Sequence, residues 1–380
     1  MATHSGFLAK ISSPLSTDQE TKKTNNNNIP SQYYWPKKDL IPSQQQLQES
    51  VVDLKGFFLG DKDETLYAAK LVRESCLHHG IFQVINHGVD SDLIRKVHHH
   101  AKAFFVLPLS EKLKREPLPG SRFGYSFAHS SRFVTKLPWK ELITFPFPYI
   151  GNDSVVVDFF ESKFGEEFQE TGVVFQKYCE ALKKLSLVLM EIIGISLELD
   201  GNYFKKFYED GGAIVRANCY PICPEPGLTL GVGPHHDPTS LTILHQDDVG
   251  GLEVLVDDKW KSVRPRNDAF VINIGDTFSA ITNGMYKSCM HRVIVNKHQD
   301  RISLTYFLNP KEDKVIKPPE DLIMSSREDD EPRKYPNFTW SDFLDYTFKH
   351  YRADGATFEN FTNWLLSSKT SSYYSLPLSN

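Results

Sequence analysis

From Ile214 to Asn309 the chain is written in period two. The segments "AIVRANCY", "TSLTILHQ", "GLEVLVDD", "DAFVINIG", "KSCMHRVIV" and "RISLTYFLN" alternate in polarity, and Gly, Pro, Asp and Asn turns separate them. A strand points successive side chains to opposite faces, so each segment offers one dry face and one mixed face. Closely spaced short strands of this kind predict a barrel or a two-sheet jelly roll.

Helical periodicity flanks the block. "DETLYAAKLVRESCLHHG" repeats apolar residues at Leu66, Ala69, Leu71, Val72, Cys76 and Leu77, then stops at Gly80. "SDLIRKVHHHAKAFFVLP" follows the strand "IFQVINHGV" and opens on Ser91 as its expected cap. "FQKYCEALKKLSLVLMEIIGISLEL" is the longest amphipathic run, and "SDFLDYTFKHY" and "TFENFTNWLL" read as closing helices. On a helix consecutive residues point about 100° apart, so His98, His99 and His100 cannot chelate together and read as a solvated face. The expected organisation is a disordered polar leader over 1–48, helices and strands over 49–150 packing on the core, and a bracing helix region over 151–212. The strand core follows over 213–312, then C-terminal helices over 313–368 and a disordered tail over 369–380. These form one mixed α/β unit, its helices on the outside of one sheet.

Composition excludes several functions. A net charge of −5 without a dense Lys/Arg block gives no attraction to nucleic acid or anionic lipid. No run approaches the ~20 apolar residues of a membrane helix. "MATHSGFLAKISSPLSTDQE" lacks a secretory pattern, and "TKKTNNNNIPSQ" reads as disordered. Five scattered cysteines fit a reducing compartment, with Cys219 and Cys223 in core packing. A cytoplasmic monomer is expected.

The chemistry sits in "GPHHDPTSLTILHQD". In an extended segment His235 and Asp237 share a side while His236 faces away. The best third ligand is His291 in "KSCMHRVIVN". Two imidazoles and one carboxylate fit Fe(II) with three adjacent positions left open; a catalytic zinc with the same ligands is the alternative. In "RISLTYF", Arg301 and Ser303 share a face, and a guanidinium fork beside a hydroxyl suits one carboxylate of a small diacid. "ANCYP" adds Asn218 and Tyr220 as a further inward pair. Iron beside a carboxylate clamp suggests a keto acid that chelates the metal while Arg301 holds its far end.

The set His235-X-Asp237, His291 and Arg301-X-Ser303, with "NCYPICP" and "HGIFQVINHGV", resembles the plant Fe(II)/2-oxoglutarate-dependent dioxygenases from "VVDLKGF" to about Leu366. "LPWKE", "NIGDTFSAITNGMYKSCMHR" and "KHYRADGATFENFTNWL" are most similar to the gibberellin 20-oxidase group of that family. Cys219 and Ile222 depart from the family's donor segment, Leu142 stands where threonine is usual after "LPWKE", and Met285 stands where arginine is usual. The resemblance implies a double-stranded β-helix (jelly-roll) core. It implies Fe(II) held by His235, Asp237 and His291, with 2-oxoglutarate anchored by Arg301, Ser303 and Tyr220 and with Asn218 nearer the metal. Dioxygen is the other co-substrate and ascorbate the sustaining reductant. The implied substrate is a diterpenoid acid oxidised at carbon-20; another gibberellin position, a flavonoid, or a noncatalytic metal-binding barrel are the alternatives. Aromatics of "SRFGYSF", "RFVTKLPW" and "FPFPY" are expected around the substrate, with Arg132, Lys136 or Lys140 against its carboxylate and Trp139 as a packing anchor.

Overall fold

The computed structural model describes residues 29–117, 121–128, 136–151, 153–325, 333–350 and 355–373. Thirteen strands build two facing sheets. In chain order they are β1 (Gln45–Gln46), β2 (Val51–Asp53), β3 (Ile81–Ile85), β4 (Gly124–Phe127), β5 (Glu141–Pro148) and β6 (Gly212–Tyr220). There follow β7 (Val232–His235), β8 (Leu241–Gln246), β9 (Leu252–Val256), β10 (Lys259–Ser262), β11 (Phe270–Ile274), β12 (His291–Val293) and β13 (Arg301–Asn309). The major sheet has the order β2-β3-β11-β8-β13-β6-β5-β4, and the minor sheet β1-β10-β9-β12-β7. Apart from β1 on β10 and β2 on β3, the pairings are antiparallel. The jelly roll with helices outside one sheet is the architecture found.

Alternation decides which side chains each layer receives. Ile302, Leu304, Tyr306 and Leu308 of β13, and Ala213, Val215, Ala217 and Cys219 of β6, join the large core beneath the helices. That core is built against α1 (Lys62–His78), α2 (Ser91–Phe105) and α3 (Gln169–Ser196). The other faces of the same strands look toward the minor sheet, where a smaller cluster includes Leu244, Leu252, Val254 and Val271. α1 starts at Asp61, whose carboxylate caps Asp63 and Glu64. α2 is capped by Asp90 rather than by Ser91, because it is the Asp90 side chain that accepts from the Asp92 amide. None of the described helices is long and apolar enough to cross a membrane.

Two expectations change. The polar leader was expected to be disordered through residue 48; residues 1–28 lie outside the described residues, but from Ile29 the chain is packed. Tyr33, Trp35 and Leu47 are buried, and β1 pairs with β10. Low hydropathy hid this, because a few aromatics and backbone bonds secure the segment. Trp35 Nε1 donates to the Leu137 carbonyl at 3.3 Å, Leu137 N donates to Gln32 O at 2.9 Å, and Arg292 donates to the Asp39 and Ile41 carbonyls. The tail expected from residue 369 is helical through Tyr373, and residues beyond it lie outside the described ones.

The Trp35 ring lies against Gly233, where an added Cβ would meet Cη2 at 2.1 Å. Gly233→Ala should therefore destabilise by about 1–3 kcal/mol through overpacking. In urea unfolding, the double variant with Trp35→Ala should be no less stable than Trp35→Ala alone, since removal of the ring removes the clash.

Candidate metal centre and carboxylate clamp

The minor sheet carries a group of side chains that could hold a metal ion. β12 pairs with β7 so that His291 stands opposite His235, and their ring centroids are 4.2 Å apart. Asp237, just past the end of β7, completes the group: one ligand atom from each of His235, Asp237 and His291 lies within 4.8 Å of the others. His235 Nε2 is 3.6 Å from Asp237 Oδ1, and His291 Nε2 is 3.9 Å from Asp237 Oδ2.

The two imidazoles are aimed from behind. His235 Nδ1 donates to the Gly233 carbonyl at 2.8 Å and His291 Nδ1 to the Cys289 carbonyl at 3.1 Å. A carbonyl only accepts, so each Nδ1 carries a proton and Nε2 is the nitrogen turned toward the companions. Burial, then the nearby His291, lowers the His235 pKa to about 3, which keeps that ring neutral and able to ligate. Burial pushes the Asp237 carboxyl upward, but His291, His235 and the Thr242 hydroxyl outweigh it and hold it below the usual range. Thr242 donates to Asp237 Oδ2 at 2.6 Å. His236 turns away as its position requires, with Nδ1 3.1 Å from Ser288 Oγ. The donor set fits a divalent first-row metal that keeps open positions.

The clamp lies on the facing major sheet. Register sets Arg301 opposite Tyr220 and Ser303 opposite Asn218, while Gln246 of β8 stands beside Ser303 on the other flank. Arg301 is 2% exposed; one terminal nitrogen donates to Gln246 Oε1 at 2.8 Å, and its carbon sits 5.0 Å from the Tyr220 ring centroid. Its Nε and Nη1 are buried without a protein acceptor, as is Asn218 Oδ1 without a donor. Asn218 Nδ2 reaches Ser303 Oγ at 3.4 Å and Thr305 Oγ1 at 3.3 Å. Unpaired N–H groups on a buried guanidinium are costly unless a ligand accepts from them, so this end of the cavity is built for an anion.

The structure brings His235, Asp237 and His291 into one group, and Arg301, Ser303, Tyr220 and Asn218 into another on the paired strands β6 and β13. Thr242 and Gln246 were missed, although the i, i+2 rule applied to "TSLTILHQ" turns both inward with Leu244. The aromatic walls are a correction. Phe145, Phe147, Tyr149, Tyr125 and Phe127 belong to the large core, because on β5 the odd residues face the helices and the even ones face the cavity. Arg132 and Phe133 lie outside the described residues, Lys136 is exposed with φ 58°, and Lys140 is buried with its charge near His235. Trp139 packs as expected, 5.1 Å from Tyr33 and donating to Pro221 O.

The triple histidine run is not simply a solvated face. His99 is exposed, but His98 Nε2 is 2.8 Å from His245 Nδ1, and His100 Nδ1 is 2.9 Å from Thr171 Oγ1. Consecutive histidines on a helix diverge, yet helix spacing alone does not say which of them docks. His245 Nε2 donates to Asn267 O at 3.3 Å, so its Nδ1 accepts and His98 Nε2 donates. Burial, then the neighbouring His245, lowers the His98 pKa to about 3. The unfolded state, with a His pKa near 6.5, then binds more protons than the folded state as pH falls below that value, and stability is lost toward pH 3. His98 alone should cost about 1–2 kcal/mol between about pH 7.5 and about pH 5. Thermal unfolding should show a smaller acid-induced drop in Tm for His98→Gln than for the parent.

Comparison with known proteins agrees with this geometry. A family model for the 2OG-Fe(II) oxygenase superfamily matches residues 211–310, and one for the non-haem dioxygenase in morphine synthesis N-terminal region matches residues 50–155. Gibberellin 20 oxidase 2 of Arabidopsis thaliana is 47% identical over 343 residues, covering 89% of this chain and 88% of that protein. Gibberellin 20 oxidase 2 of Oryza sativa subsp. indica is 48% identical, covering 89% of this chain and 85% of that protein. Among solved structures, JOX2 in complex with 2OG, Fe and JA superposes with a TM-score of 0.76 at 32% identity, covering 90% of this chain and 96% of that one. The rice dioxygenase for auxin oxidation superposes at 0.65 and 26% identity, covering 80% and 95%. With its metal triad, its carboxylate clamp and these relatives, the chain belongs to the 2OG-Fe(II) oxygenase superfamily and, within it, to the gibberellin 20 oxidases.

Proposed function

We propose that the protein oxidises carbon-20 of gibberellin precursors in gibberellin hormone biosynthesis, from methyl to alcohol to aldehyde, followed by loss of that carbon as a lactone forms. The observation that carries this is the pairing of a His-Asp-His cluster with an unsatisfied buried guanidinium on the facing sheet, in a chain of this kinship. As a 2OG-Fe(II) oxygenase the chain uses Fe(II), 2-oxoglutarate and O2 on a small-molecule substrate. Bound together, these supply an oxidant able to attack an unactivated C–H bond, with succinate and CO₂ as by-products.

In this reading each residue has a defined part. His235 and His291 present Nε2 to the metal, and Asp237 presents a carboxylate that Thr242 holds in place. Arg301 donates to the far carboxylate of 2-oxoglutarate from N–H groups that have no protein acceptor, with Ser303 and Tyr220 adding hydroxyls, while Gln246 keeps the guanidinium turned inward. Asn218 offers its amide nearer the metal. Ascorbate sustains activity, and the enzyme works as a cytoplasmic monomer; its five cysteines, all buried and none in a disulfide, suit a reducing compartment.

Purified protein incubated with Fe(II), ascorbate, 2-oxoglutarate and gibberellin precursors should give carbon-20 oxidation products by mass spectrometry, with succinate formed in step. Oxidation of another gibberellin position, or of a flavonoid, would replace the assignment. In anaerobic Fe(II) titrations His235→Ala should abolish binding and His236→Ala should leave it nearly unchanged. Arg301→Lys should raise KM for 2-oxoglutarate by roughly tenfold or more, because a point charge replaces a fork, with Fe(II) affinity preserved.

A further inference from the structure

The leader crosses the minor sheet on the face turned away from the His-Asp-His group, and it meets the strands in their spatial order. At the β7 edge the Trp35 ring lies on Gly233, and the Trp35 N–H donates to Leu228 O at 3.0 Å. Next comes β12, whose Arg292 donates to the Asp39 and Ile41 carbonyls. On β9, Glu253 Oε1 accepts from Ser43 Oγ at 2.6 Å. Finally Gln45–Gln46 pair with β10 as β1. One short run of chain thus ties β7, β12, β9 and β10 together.

Two of these ties sit directly behind the histidines. Gly233 is the residue whose carbonyl accepts from His235 Nδ1 at 2.8 Å. An added Cβ there would meet Trp35 Cη2 at 2.1 Å, so ring and backbone already touch. Arg292 follows His291, and strand alternation turns it toward the leader while His291 faces Asp237. β7 needs a brace of this kind. It is four residues long, stands at the sheet edge beside β12, and its pairing there shifts register between His291 and Val293. An edge strand with an irregular ladder opens more readily than a central one. Trp35 is itself held: it is buried, and its Nε1 donates to Leu137 O at 3.3 Å.

We propose that residues 29–47 are a positioning strap for the metal centre. Trp35 sets the Gly233 carbonyl that aims His235, and the Asp39 and Ile41 carbonyls set Arg292 beside His291. Closure of the strap and binding of the metal are then coupled, and such coupling is reciprocal: what the strap adds to metal affinity, the metal adds to closure of the strap. This rests on the reading of His235, Asp237 and His291 as Fe(II) ligands.

The strap carries its own probe. Lys37 and Lys38 are exposed and lie between the Trp35 and Asp39 contacts, so trypsin cuts there in proportion to opening. Under nitrogen, saturating Fe(II) should slow cleavage of the parent after Lys37 and Lys38 about tenfold or more, read by mass spectrometry. Cleavage at the exposed Lys311, outside the strap, should keep its rate, and the protection should vanish in His235→Ala. Trp35→Ala should weaken Fe(II) binding about ten- to a hundredfold, as loss of a group that orients a metal ligand does. Trp35→Phe, which keeps a ring on Gly233, should recover part of it, and Tyr34→Ala, at an exposed neighbour, should bind like the parent. The coupling is overturned if Fe(II) leaves the strap cuts unchanged or slows Lys311 equally, or if Trp35→Ala binds Fe(II) as tightly as the parent. If the parent binds no Fe(II), or His235→Ala binds it equally well, it is the metal reading that fails.

Discussion

The structure depends on the register of β13 between β6 and β8. Strand alternation has a period of two, so a slip of one residue would send Arg301 and Ser303 into the helical core and bring Ile302 and Leu304 into the polar interior. Both faces forbid it. Outward, Ile302, Leu304, Tyr306 and Leu308 are buried with α2 and α3; inward, Arg301 finds Gln246 and Tyr220 already in place. Hydrophobic burial on one side of the sheet thereby sets the positions of polar groups on the other.

The same division is enforced on the flanking strands by buried charge. Lys112 and Tyr125 both contact the Glu141 carboxylate, and each partner is nearly sealed from water. Breaking such a pair would leave an uncompensated charge, so Glu141 is committed to the outer face and Leu142 and Thr144 to the cavity. Next to the His-Asp-His group, Arg292 pairs with Glu253, stacks 4.2 Å from the Trp260 ring and holds two leader carbonyls. It is the residue after His291, so the contact that anchors the leader also fixes the direction of the imidazole.

Chemical readiness comes from what these contacts leave undone. Backbone carbonyls take the Nδ1 protons of His235 and His291 and so free Nε2, while burial keeps His235 neutral. Gln246 takes one terminal nitrogen of Arg301 and leaves Nε and Nη1 with no protein acceptor. A fully satisfied interior would be more stable but could bind nothing.

Alternation was legible in the residues themselves. "HHD", "RIS" and "ANCY" state which side chains share a side, and that local covalent geometry sufficed to choose His235 over His236 and to group Arg301 with Ser303. The same rule held Thr242 and Gln246 as well, once carried along "TSLTILHQ". What the residues left open was which side would be covered, and by what. That Phe145 packs under helices rather than on substrate, that His98 docks on His245 while His99 meets water, and that Trp35 from a polar leader closes over Gly233 all depend on segments distant in the chain. Periodicity is written residue by residue, but burial is decided by partners that meet only when the chain has folded.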